Sequence, residues 1–161
     1  MVSRFHILCC VLALSSPVFA ADNAVSHAQF LPPDDAGLRQ ERPEQQQVAQ
    51  ITEYAIVLGN QRQSSQQPIP ITTPTWLRLK GKTLGKQPSP LQVVIAFDSE
   101  GKSLKRPSYD EQSRTLSLNY PMTQYAAVLD LLRNGPVYCQ FLVYANGHVW
   151  ADLHSGAARV R

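Results

Sequence analysis

The residues best suited to covalent chemistry lie near the C-terminus: Cys139, Asp152 and His154. Two apolar runs, Val137 to Ala145 and His148 to His154, flank Asn146 and Gly147, a pair that accepts the positive φ angles of a type I′ turn. A two-residue turn sets the register. Ala145 is then expected opposite His148, Val143 opposite Trp150, Phe141 opposite Asp152 and Cys139 opposite His154. Opposed Cβ atoms lie roughly 4.5 to 5.5 Å apart, which brings thiol and imidazole together with Asp152 two residues back. In that arrangement His154 draws the proton from Cys139 and Asp152 orients the ring, the chemistry of a small envelope hydrolase or thiol enzyme. The competing reading is packing, and it is preferred. Free cysteine is among the most buried residue types, a lone thiol in an oxidising compartment lasts best when hidden, and no Gly-framed elbow surrounds Cys139. His148 falls about six residues, or roughly 20 Å, from His154, so the set makes no structural zinc site and no metal is expected.

A second cluster points to binding. From Trp76 to Lys82, Trp76, Arg78, Lys80 and Lys82 alternate with Leu77 and Leu79. A half-buried strand therefore shows an aromatic ring and three cations on one face, with Lys86 and Lys102 not far off in sequence. An anionic glycan, phospholipid head group or acidic protein surface matches such a stripe. Alternatively the cations solvate an exposed face or guard an edge strand. Tyr125, Tyr138, Tyr144 and Trp150 read either as a partner surface or as core. Both faces of the C-terminal hairpin look apolar, so a partner protein or a homodimer is a candidate cover if one helix cannot shield two faces.

The elements that position these groups follow from patterning. Arg4, the apolar run Ile7 to Leu14, the breakers Ser16 and Pro17, and small residues at Val18 and Ala20 describe a secretory signal peptide over residues 1–20. A lipidated Cys10 is the rival reading, weakened by Cys9 where a small residue is wanted. Cleavage lowers the formal charge from +3 to +2 and removes two of the three cysteines, leaving Cys139 with no internal disulfide partner. A bacterial periplasmic or secreted location fits. Residues 21–47, rich in Gln, Pro, Asp and Glu, read as a disordered leader, and residues 48–161 as a single domain. Acidic residues concentrate before Glu53 and basic ones between Trp76 and Arg106.

Within the domain, Val48, Ile51, Ala55 and Leu58 follow helical spacing while Tyr54, Ile56 and Leu58 alternate; the helix is slightly favoured. Residues 60–74 read as a long loop. Strands are expected at Trp76–Lys82, Leu91–Phe97 and Arg114–Tyr120, with an edge strand near Leu104–Tyr109 because Pro107 lacks an N–H. Pro121 opens a helix carrying Met122, Tyr125, Ala126, Leu129 and Leu132, ended at Asn134, Gly135 and Pro136. The expected fold is α+β: a small antiparallel sheet with one or two helices packed on a face and a C-terminal hairpin. The sequence has no phosphate-cradling Gly loop, paired Cys ligands or Gly-x-Ser-x-Gly elbow, so no cofactor is expected. Nucleic acid is a poor partner for so nearly neutral a chain. The leading expectation is a non-enzymatic binding or accessory protein, such as an inhibitor, immunity-type protein or envelope assembly factor, engaging an envelope protein or anionic envelope polymer.

Overall fold

Alternation of apolar and polar side chains recurs between Gln45 and Ser155, and among the described residues there it builds seven strands. The computed structural model describes residues 27–59, 75–85, 87–98 and 103–156. The expected signal peptide, the first part of the expected leader, the loop over 60–74, Lys86 and Lys102 lie outside the described residues. The strands are β1 (Gln45–Leu58), β2 (Thr75–Thr83), β3 (Pro90–Asp98), β4 (Ser108–Asp110), β5 (Thr115–Pro121), β6 (Val137–Val143) and β7 (Val149–Ser155). One helix, α1 (Tyr125–Arg133), follows β5 through a short 3-10 turn at Met122–Gln124.

All seven strands form one sheet in the order β4-β5-β3-β2-β1-β6-β7. Neighbours are antiparallel except β3 and β5, which run parallel. The sheet curls into a half-barrel. Tyr109 on β4 comes within 6.0 Å of Phe141 on β6, ring centre to ring centre, although four strands separate them in the sheet. Gln45 of β1 likewise reaches Glu111 beyond β4 across the mouth, 3.2 Å away. Twisted strands curl so that their apolar faces meet. The inner face carries Leu77, Leu79, Leu91, Val93, Ile95, Leu116 and Cys139, all essentially without solvent contact. α1 closes the core through Val128, Leu129 and Leu132, and Tyr125 sets its ring edge-on to Phe97 at 5.1 Å.

The expected small antiparallel sheet with one or two helices on a face is thus corrected: the sheet is larger, mixed and curled, with a single short helix. The second expected helix is strand β1. The residues with helical spacing do not share a face of it: Ile51 and Leu58 point inward, whereas Val48 and Ala55 stand opposite Gln140 and Arg78 on the outer face. Ala49 and Ile51 face inward, the register slips between Ile51 and Glu53, and Tyr54, Ile56 and Leu58 face inward after it. One extra residue in the strand turns the inward spacing of two into a spacing of three between Ile51 and Tyr54. Beside the bulge, Gly81 passes so close to β1 that a Cβ there would lie 2.6 Å from the Gln50 carbonyl oxygen. β2, β3 and β5 match their alternation; of the strand expected near Leu104–Tyr109 only β4 at Ser108–Asp110 forms, at the sheet edge and after Pro107.

The C-terminal hairpin exists with a different turn. Gly147 N–H donates to the Tyr144 carbonyl at 2.8 Å, Tyr144 N–H to the His148 carbonyl at 2.9 Å, and Gly147 takes φ 80°. The loop therefore holds Ala145, Asn146 and Gly147, a tight turn followed by a left-handed glycine. That third residue shifts every pair by one: Cys139 opposes Leu153, Gln140 opposes Asp152, Phe141 opposes Ala151 and Tyr138 opposes His154. The pairs expected from a two-residue turn do not form.

Candidate functional site

Strand β2 builds the basic stripe as its alternation requires. Leu77, Leu79 and Gly81 are buried on the inner face, while Arg78, Lys80 and Lys82 are exposed and Trp76 half-buried on the outer one. β2 lies between β1 and β3, so the cations do not guard an edge. Across the ladders Trp76 is flanked by Val57 and Ala96, Arg78 by Ala55 and Val94, Lys80 by Glu53 and Gln92, and Lys82 by Gln50 and Pro90. These neighbours are small beside the ring and the guanidinium, and leave a shallow open depression lined by Trp76, Arg78, Lys80, Gln92, Val94 and Ala96. Lys80 Nζ pairs with Glu53 Oε2 at 3.0 Å, both well exposed; water screens such a pair to a fraction of a kcal/mol. The cations repeat every second residue, about 7 Å apart along a strand, and suit an extended anionic chain more than a compact ion.

The second cluster lies on the outer face of β6 and β7, under the segment His27–Glu44. Asp152 is its hub. His154 Nδ1 donates to Asp152 Oδ1 at 2.5 Å, and Trp150 Nε1 donates to Asp152 Oδ2. The other nitrogen of His154, Nε2, meets His27 Nδ1 at 2.8 Å. Phe30 stacks on the His154 ring at 4.1 Å, and Tyr138 meets the His27 ring edge at 4.8 Å. His154 is consequently buried. Two imidazole nitrogens at this separation hold one proton between them, so His27 and His154 cannot both be cations while the contact persists. The ordinary value of His27 is lowered, first by its burial and then by His154, with Asp152 opposing.

The rest of the segment is held by its own turns and by the hairpin. Asp34 accepts the backbone N–H groups of Leu38 and Arg39. Arg39 donates to the carbonyls of Pro32 and Pro33 and lies 5.3 Å over the Trp150 ring. Asn146 donates to the Leu38 carbonyl at 2.9 Å. The stretch that composition marks as a leader thus covers a sheet face from His27 onward, and strand β1 begins at Gln45, inside that stretch.

Of the expected Cys139, Asp152 and His154 set, only Asp152 and His154 come together. Cys139 faces the core on the opposite side of the sheet, with 1 % exposure. Burial, with Asp152 adding to it, pushes its thiol well above the ordinary range. A nucleophilic thiolate needs the reverse, a polar and accessible setting with a cation beside the sulfur. His27 and Phe30 carry no local signal in the sequence; their partner His154 is 127 residues away along the chain for His27. Among the described residues no cluster of His, Cys, Asp and Glu suits a metal ion, and no helix is long and apolar enough to cross a membrane. No family model, no curated protein and no solved structure matches the chain.

Proposed function

We propose that this chain is an exported, non-enzymatic binding protein that holds an anionic envelope polymer against the outer face of β2 and β3 through Trp76, Arg78, Lys80 and Lys82. The observation that carries this reading is the placement of the stripe on an interior strand. Cations there have no edge to protect, and the alternating neighbours Ala55, Ala96 and Val94 keep the face flat beside the Trp76 ring. A polymer carrying carboxylates or phosphates meets the three cations in turn, and an apolar or sugar face rests on the indole. The signal-like residues 1–20 support export. Thiol chemistry has no comparable support, since Cys139 and His154 face opposite sides of the sheet.

Binding of a labelled acidic polysaccharide, measured across ionic strength, tests the reading. Affinity is expected to fall steeply with salt. Arg78→Ala with Lys82→Ala is expected to weaken it about tenfold at low salt, at a few tenths to 1 kcal/mol or more for each exposed ionic contact. Trp76→Ala is expected to weaken binding without changing its salt slope. Salt-independent binding, or none, rejects the reading.

A further inference from the structure

Strand β1 outruns one of its two neighbours. β6 begins at Val137, which pairs with Ile51, so among the described residues Glu53 to Leu58 are paired with β2 alone. The bulge at Thr52 sets Tyr54, Ile56 and Leu58 on the inner face, level with the buried Leu79, Leu77 and Thr75. Yet these three side chains stay 40 %, 39 % and 68 % exposed. The apolar layer of the core therefore runs up to an edge whose backbone donors and acceptors point outward. Proteins ordinarily blunt such an edge with lysine, proline, a bulge or an inward charge. Here Glu53 is the one charged residue between Thr52 and Leu58, proline is absent from that stretch, and the bulge stands at its start.

We propose that the edge Glu53–Leu58 pairs with the same edge of a second copy of this chain, antiparallel about a two-fold axis at Ile56, so that two seven-stranded sheets become one. The occupant follows from the self-complementarity of the segment. About that axis Ile56 faces Ile56, Tyr54 faces Leu58 and Ala55 faces Val57, while Glu53 meets Gly59. Every exposed apolar side chain gains an apolar neighbour and no like charges oppose. Moving the axis to Ala55 breaks this pattern, setting Glu53 against Val57 and Thr52 against Leu58. A two-fold contact must use the same patch on both copies, which is the pattern this strand carries. The paired edge is short, at the small end of specific interfaces, so the dimer is weak and concentration-dependent. It leaves the outer stripe free and does not depend on what that stripe binds.

Sedimentation equilibrium of the purified chain over a range of concentrations tests the proposal. A reversible monomer–dimer equilibrium is expected. Ile56→Lys is expected to raise its dissociation constant at least about tenfold, since two lysines then face each other across the axis. Unchanged circular dichroism separates this from misfolding. Ile56→Cys supplies a second readout: opposed Cα atoms in a hydrogen-bonded pair lie about 5.5 Å apart, within reach of a disulfide. Mild oxidation is expected to link that variant into dimers, whereas Ala55→Cys, which faces Val57, is expected to stay unlinked. A monomer at every concentration, a dimer indifferent to Ile56→Lys, or equal linking of both cysteine variants overturns the proposal.

Discussion

Two stretches of the outer sheet surface meet opposite fates. Over β6 and β7, Tyr138, Trp150, Asp152 and His154 lie beneath the segment His27–Glu44. Over β2 and β3, Trp76, Arg78, Lys80 and Lys82 remain open. The difference follows from which groups survive burial. An imidazole, a carboxylate and an indole N–H satisfy one another in a short chain of hydrogen bonds, whereas lysine ammonium groups lose more hydration than one carboxylate returns. A polar, proline-rich segment can therefore order on the first surface and gains nothing on the second. The covered face thus helps hold the chain together, and the open face is the one on which the proposed polymer binding rests.

Removing the hub of the covered face is the most damaging way to test this division. Asp152→Ala leaves His154 Nδ1 and Trp150 Nε1 without their acceptor, and chemical denaturation is expected to show a loss of about 3 kcal/mol. A loss under about 1 kcal/mol would place the cover's stability elsewhere. Acid is a milder probe. The lowered value of His27 means that the unfolded chain binds its proton more readily. Its contribution is complete above the ordinary value of 6.5 and is lost as pH falls through the lowered one. Stability should decline on that acid side, with protease cleavage near His27 appearing in the same range, and His27→Gln should flatten the decline. The smallest effect is expected on the open face. Glu53→Gln should leave unfolding within about 0.5 kcal/mol of the parent, because its pair with Lys80 is exposed. It should strengthen polymer binding about twofold by removing the acidic neighbour of the stripe. Weakened binding there would show that Glu53 positions Lys80 rather than opposing the ligand.

Local periodicity by itself determined the inner and outer faces of β2, β3 and β5, the stripe from Trp76 to Lys82 and the approximate place of α1, because a strand's period of two and a helix's of about 3.6 need no knowledge of their neighbours. Three matters were decided only in the folded molecule. The helix-like spacing from Val48 to Leu58 became a strand, since the ladder to β2 along its length, joined by β6 as far as Ile51, rewards pairing more than local spacing rewards a helix. One residue in the turn at Ala145–Gly147 moved Cys139 to the core and His154 to the outer face, because slipping a strand by one reverses every side chain. The segment around His27 and Phe30 found its order against residues more than a hundred positions away. Composition reports how little such a segment can bury against itself, and says nothing of the surface that another part of the chain presents to it.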